Sequence, residues 1–179
     1  CYSEGSGVEH NPVQAFEWFR KAAEQGYVRA QYSLGICYLD GTGTAVNAEE
    51  AVKWLRLAAA QGDCHAMYSL GVCCFEGDGT DKNYEEAFEF FRKASDAGET
   101  LAWFNLGVCY WGGYGTGQNY DLAFDWFSQA SQAGDALAKK SLADCYLEGK
   151  GARKDEATAV VLLREAADMD EPEAYLLLG

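Results

Sequence analysis

The sequence is poor in proline, with 2 residues among 179, and poor in basic side chains, with 14 lysines and arginines against 28 acids. It contains no uninterrupted apolar run of the ~18 residues that a membrane-crossing helix needs, so insertion into a bilayer is not expected. The net charge of −14 repels phosphate backbones and anionic lipid, which excludes nucleic acid as an expected partner and favours basic partners at low salt. The plainer account of the same acidity is a well-solvated surface. Histidine is scarce too. Neither His10 nor His65 completes a zinc-ligand spacing and there is no Cys-x-x-Cys, so neither metal nor cofactor is expected. No serine, cysteine or carboxylate is spaced to make either histidine a catalytic base, so no catalytic residue and no enzyme activity are expected. Cys1-Tyr2-Ser3-Glu4-Gly5 has neither a basic nor an apolar leader, and no signal peptide is visible.

What the chain has in quantity is glycine, 20 residues, on a 49% hydrophobic background. The glycines punctuate a repeat. Ala30-Gln31-Tyr32-Ser33-Leu34-Gly35-Ile36-Cys37-Tyr38-Leu39-Asp40-Gly41-Thr42-Gly43 returns from Ala66, Ala102 and Ala138, each 36 residues after the last, and a further copy starts at Ala174. A fixed period of this length marks a stacked-repeat solenoid. The expected organisation is one array over 1–179. It comprises a partial repeat at 1–29, full repeats at 30–65, 66–101, 102–137 and 138–173, and the start of another at 174–179. Opening and closing in mid-repeat, the chain reads as a segment of a longer array, truncated at its N-terminus.

Each repeat predicts two antiparallel helices. The first carries Ala30, Leu34, Cys37 and Tyr38 at helical spacing and stops at a Gly-x-Gly turn: Gly41/Gly43, Gly77/Gly79, Gly113/Gly115, Gly149/Gly151. The second starts at a capping side chain, Asn11, Asn47, Asn83, Asn119 or Asp155, with Pro12 at the first helical position in the earliest copy. Gln14, Glu50 and Glu86 stand three residues after the cap, as capping-box partners should. Its packing face is Ala15, Trp18, Phe19, Ala22 and Ala23 in the first copy, then Ala51, Trp54, Leu55 and Ala58 and their equivalents. Small residues such as Ala30, Gly35, Ala51 and Ala58 let helix axes approach. One such pair cannot bury its apolar face alone, so neighbouring pairs must stack. The last full copy drifts, with Ala143 in place of glycine and Leu162 in place of an aromatic.

The pattern Ala-x-x-x-Leu-Gly-x-x-Tyr-x-x-Gly-x-Gly, followed by Ala-x-x-Trp/Phe, Ala and Gly, resembles the Sel1-like repeats, relatives of the tetratricopeptide repeats with a longer unit. The resemblance covers the whole chain. It implies an all-α, right-handed α-solenoid of antiparallel helix pairs that scaffolds protein–protein contacts without chemistry of its own. The chain departs from the pattern at Cys74 (tyrosine position), at Ala143 (glycine position), and at Thr44, Thr80, Thr116 and Ala152, where valine is usual.

Cys1, Cys37, Cys73, Cys109 and Cys145 are one repeat position among the packing residues, too far apart between stacked repeats for a disulfide. Cys64 and Cys74 complete the set of seven. The secreted branch of the resembled family staples its helix pairs through a second cysteine, where this chain has Ala59, Ser95 and Ser131. Buried, reduced thiols acting as small hydrophobes are expected, which favours a reducing, cytoplasmic compartment. Gly113-Tyr114-Gly115-Thr116-Gly117 and Gly149-Lys150-Gly151 follow helices rather than strands, and are turns rather than phosphate loops.

In tetratricopeptide-like solenoids the first helices line the concave surface. Transferred by helical phase, that geometry places Tyr32, Tyr68 and Phe104, with Leu39, Phe75, Trp111 and Leu147, in an apolar stripe, and Asn105 on the same face. An acidic stripe of Glu4, Asp40, Glu76 and Glu148 runs along its edge. An extended apolar segment flanked by lysine or arginine would match both. Leu39, Phe75 and Trp111, at the helix ends, are expected to be the more exposed; packing between repeats is the alternative for Tyr32, Tyr68 and Phe104. The function expected is an interaction scaffold binding a protein or peptide in this groove, with end-to-end self-association of the array. The alternative is a structural spacer that orients other domains of a longer protein.

Overall fold

The structure, a computed structural model, describes residues 11–169 and 171–178. Expectations for Cys1, Tyr2, Glu4, Gly5, Gly7 and His10 lie outside the described residues. The elements found there are all helices: α1 (Pro12–Glu24), α2 (Val28–Asp40), α3 (Ala48–Ala60), α4 (Cys64–Glu76), α5 (Tyr84–Asp96), α6 (Leu101–Gly112), α7 (Tyr120–Gln132), α8 (Ala136–Glu148), α9 (Glu156–Ala167) and α10 (Pro172–Leu178). The fold is an all-α repeat solenoid, as the period predicts. The chain divides into two compact units, Cys1–Ala97 with α1 to α5 and Gly98–Gly179 with α6 to α10. Within each, every helix packs on the next, most closely in the pairs α2–α3, α4–α5, α6–α7 and α8–α9.

The second helix of each pair is capped as the asparagines predict. Asn11, Asn47, Asn83 and Asn119 accept from the backbone N–H three residues on, at 3.0–3.1 Å, each cap contributing about 1 kcal/mol. The reciprocal half of the capping box is a correction. Asn47, Asn83, Asn119 and Asp155 donate their own N–H to the carbonyls of Tyr38, Cys74, Tyr110 and Tyr146 in the preceding helix at 2.8–3.0 Å. The carboxylates that would have closed the box are free for other partners: Glu50 binds Lys53, and Glu86 binds Arg56 of α3 at 2.8 Å. The cap therefore ties the two helices of a pair together.

The Gly-x-Gly turn has two separate roles. Its first glycine ends the helix in the left-handed region, and the cysteine carbonyls at 37, 73, 109 and 145 take the turn's N–H groups. Its second glycine meets the second helix of the preceding pair. A Cβ on Gly79, which has φ +69°, would lie 2.2 Å from the Ala48 carbonyl oxygen at the start of α3, so the contact admits only glycine. Inside a pair the demand is for space: a Cβ on Gly107 would lie 2.4 Å from the Phe127 ring.

The first unit's core holds Leu34, Leu55, Leu70 and Phe91, all fully buried; the second is built on Leu106, Phe127, Leu142 and Leu163. Trp18 is a correction. It is 58% exposed, with Lys21 4.7 Å above its ring, and Phe16 is buried instead, edge-on to Tyr38 at 5.3 Å. Trp54, one period later, is half-buried and packs on the cluster that α1 and α2 share. The departure at Cys74 is matched by its register partner. Phe16–Tyr38 and Phe124–Tyr146 form the same edge-on contact at 5.3 and 5.6 Å, and in the intervening register Val52 and Cys74 are both small and both buried.

Candidate functional site

Cys37, Cys73, Cys74, Cys109 and Cys145 are buried, Cys64 is half-buried, and all six are unpaired. Burial pushes Cys73 and Cys74 up to about 11 and Cys109 and Cys145 up to about 12, and raises Cys37 as well. Burial thus favours the protonated thiol at these five positions over the reactive thiolate. They are packing residues, as expected.

The first helices carry the sequence-predicted surface, and the apolar residues on it are half-buried rather than open. Leu39, Phe75 and Trp111 are half-buried like Tyr32, Tyr68 and Phe104, and each is covered in part by its own neighbourhood. Leu39 and Tyr32 pack on the α3–α4 cluster. Phe75 lies 5.0 Å from Tyr84 and 6.4 Å from Phe91. Trp111 repeats that corner, 4.9 Å from Tyr120 and 6.4 Å from Phe127. Tyr68 leans on Phe91 at 6.1 Å and Phe104 on Phe127 at 5.8 Å, both within their own helix pairs. Leu147 packs on the core around Leu163. Asn105 is half-buried and returns its amide to the Leu101 carbonyl. Asp40 and Glu76 are exposed and form no ion pair among the described residues, whereas Glu148 is taken by Lys150 at 2.6 Å.

Among the described residues, a cleft opens on this face in each unit. In the first unit a cleft of about 220 Å³ is lined by Phe19, Tyr32, Ser33, Ile36, Cys37 and Thr42. In the second, a cleft of about 280 Å³ brings Val108, Trp111 and Phe127 together with Tyr114, Lys140, Ser141, Asp144 and Glu148. It has an aromatic wall and a polar wall. On the polar side Lys140 binds Asp144 at 3.0 Å and Glu173 at 3.1 Å. Burial pulls the Lys140 ammonium down, and the hydrogen bonds to the two carboxylates more than reverse this, so it stays charged. On the aromatic side the Lys150 ammonium stands 5.3 Å from the Trp111 ring and 5.1 Å from the Tyr120 ring.

Tyr114, Tyr120 and Lys150 are functional candidates that helical phase does not find. Tyr114 and Lys150 are the middle residues of Gly-x-Gly turns, a position held by Thr42, Asp78, Tyr114 and Lys150 in successive copies. That variation inside an otherwise fixed motif is the available signal. A further cleft of about 320 Å³ lies among α3, α4 and α5, lined by Arg56, Ala59, Ala60, Met67, Leu70, Phe90 and Lys93. No helix among the described residues is long and apolar enough to cross a membrane.

Known proteins match this architecture. A family model described as Sel1 repeat matches residues 1–27, 28–63, 64–99, 101–135 and 136–171. The crystal structure of a Sel1 repeat protein from Oxalobacter formigenes is 38% identical, with TM-score 0.92 over 99% of this chain and 70% of that one. That of c5321, a protective antigen present in uropathogenic Escherichia coli strains and displaying an SLR fold, is 36% identical, with TM-score 0.87 over 99% of this chain. This chain spans only 38% of c5321. Helicobacter pylori cysteine rich protein B, at 20% identity and TM-score 0.56 over 74% of this chain and 96% of that one, shares the fold alone. No curated protein matches.

Proposed function

The chain belongs to the Sel1 repeat family, whose members are in general non-catalytic protein-interaction scaffolds, and we propose that this one is an adaptor that binds a partner along the inner face of its first helices. The partner is an extended protein segment with apolar anchors flanked by lysine or arginine. The observation that carries this reading is the cleft of about 280 Å³ in the second unit, where Val108, Trp111 and Phe127 face a polar wall of Tyr114, Lys140, Ser141, Asp144 and Glu148. Aromatic side chains offer large contact area at low entropic cost, and a basic segment would compete with Lys140 and Lys150 for Asp144 and Glu148. In the first unit Tyr32 borders the smaller cleft, and Asp40 and Glu76 stand exposed beside the half-buried Leu39, Tyr68 and Phe75. The half-burial of those rings is what favours the second reading, a spacer that orients other parts of a longer protein.

Affinity capture from a source lysate separates the two. Wild type and a Phe75→Ala/Trp111→Ala variant are compared at low and high salt, with circular dichroism confirming that the variant keeps its helices. A protein held by the wild type, lost by the variant and more weakly held in salt is the expected result. Equal capture by both proteins, or capture of nothing, would move the assignment to the spacer.

A further inference from the structure

We propose that Trp111, Tyr120 and Glu148 form a receptor for the cationic side chain of a partner, and that Lys150 fills it in the free protein as an internal stand-in. This rests on the inner-face reading and names the chemistry of one of its subsites. The two rings meet edge to face, 4.9 Å apart at 68°, and both faces of that corner lie within reach of one ammonium. The Lys150 Nζ is 5.3 Å from one ring centroid, 5.1 Å from the other and 2.6 Å from the Glu148 carboxylate. A cation held by two aromatic rings and an acid satisfies both the quadrupole and the charge terms that select ammonium over neutral groups. The chain's own lysine thus reports what the corner accepts.

The backbone of Lys150 is fixed independently of its side chain. Its N–H bonds the Cys145 carbonyl at 3.1 Å, and it stands between Gly149 and Gly151, both at positive φ. Gly151 lies so close to α7 that a Cβ would meet the Tyr120 carbonyl oxygen at 2.2 Å. The side chain is different. It remains 40% exposed and its carboxylate partner 47% exposed, so it can swing into water while the turn stays fixed. Trp111 and Glu148 also line the 280 Å³ cleft, so a cation that replaces Lys150 continues directly onto the apolar wall. The corner recurs in the first unit as Phe75–Tyr84, 5.0 Å apart at 64°. There Lys82, from another position in the turn, lies 5.8 Å over the tyrosine.

Because Lys150 competes with the partner, removing it raises affinity. Its contacts are an exposed ion pair to Glu148, a side-chain hydrogen bond to Tyr120 and cation–π contacts to the two rings, so the gain is roughly three- to tenfold. The probe is an acetylated, amidated peptide of alternating leucine and lysine, with a leucine–glutamine version as control, titrated calorimetrically. Lys150→Gln is expected to bind the lysine peptide roughly three- to tenfold tighter than wild type. Lys154→Gln, which removes the same charge from the same loop, should gain less than about twofold, and Trp111→Ala should abolish the Lys150→Gln gain. In NMR spectra of the free wild type the Lys150 ε-methylene protons should lie upfield under the two rings and relax toward the free-lysine position as peptide is added. Equal affinities for wild type and Lys150→Gln, with Trp111→Ala weakening both, would overturn the stand-in and leave the inner-face reading intact. Unshifted Lys150 protons in the free protein would do the same. Binding that ignores Trp111→Ala, or that is absent in every variant, would overturn both.

Discussion

A cysteine at one position in every repeat is a packing choice with a pH signature. The thiols of Cys73, Cys74, Cys109 and Cys145 are raised by burial to about 11, 11, 12 and 12, while in the unfolded chain they ionise near 8.5. Below that value both states hold the proton and stability is indifferent to it. Above it the unfolded chain binds fewer protons than the native one, so stability falls as pH rises, and each thiol contributes about 1.4 kcal/mol per pH unit until its folded value is reached. Lysines and tyrosines titrate over the same range, so the informative quantity is a difference between proteins. Cys109→Ala is expected to start less stable at pH 7.5 and to lose stability more slowly between pH 9.5 and 10.5, by about one thiol's slope. Urea unfolding at those three pH values measures it, and parallel curves would show that Cys109 does not carry its predicted share.

Within a helix pair, the tightest constraint is the glycine that lets α6 lie against α7. Gly107 faces the Phe127 ring, with room for no Cβ, whereas the last pair tolerates Ala143 with Leu163 in the equivalent core position, both buried. Gly107→Ala should therefore cost about 1–3 kcal/mol through overpacking. Adding Phe127→Leu recreates the Ala143–Leu163 combination, so the double variant should be more stable than the sum of the single effects by at least ~0.5 kcal/mol. Chemical denaturation of the four proteins in the cycle decides it, and strict additivity would mean that the ring is not what excludes the Cβ. This helix pairing is legible in the sequence because Leu34-Gly35 and Trp54-Leu55 recur with a fixed period and each residue's size states its role. The proposed binding face is legible only as a direction. Helical phase aims Phe75 and Trp111 away from the core, yet it cannot show that Tyr84 and Tyr120 rise from the following helix to cover them. Nor does phase apply to Tyr114 and Lys150, which stand in turns. Trp18 fails for a related reason, since it is Phe16, and not Trp18, that α1 turns onto Tyr38 of α2.

At the scale of the whole chain, the net charge of −14 acts on folding and on binding with opposite signs. Unbalanced like charge raises the energy of the compact state, and the same charge draws a basic partner toward the surface. Local ion pairs oppose the first effect, since Arg20–Glu17, Lys53–Glu50, Arg92–Glu89 and Lys154–Glu156 are all attractive. They are exposed, however, and pairs of that kind contribute about 0–1 kcal/mol each, so the unbalanced charge should prevail. Raising ionic strength from 10 to 150 mM shortens the screening length from ~30 Å to ~8 Å, which relieves the repulsion and weakens the attraction together. The melting temperature should accordingly rise by a few degrees over that range, while affinity for the leucine–lysine peptide falls severalfold. Differential scanning fluorimetry and calorimetric titration in the same buffers make the comparison. A melting temperature that falls with salt would mean that the surface ion pairs outweigh the net charge. Peptide affinity indifferent to salt would remove electrostatics from the recognition and leave the aromatic wall of the second unit's cleft to account for it alone.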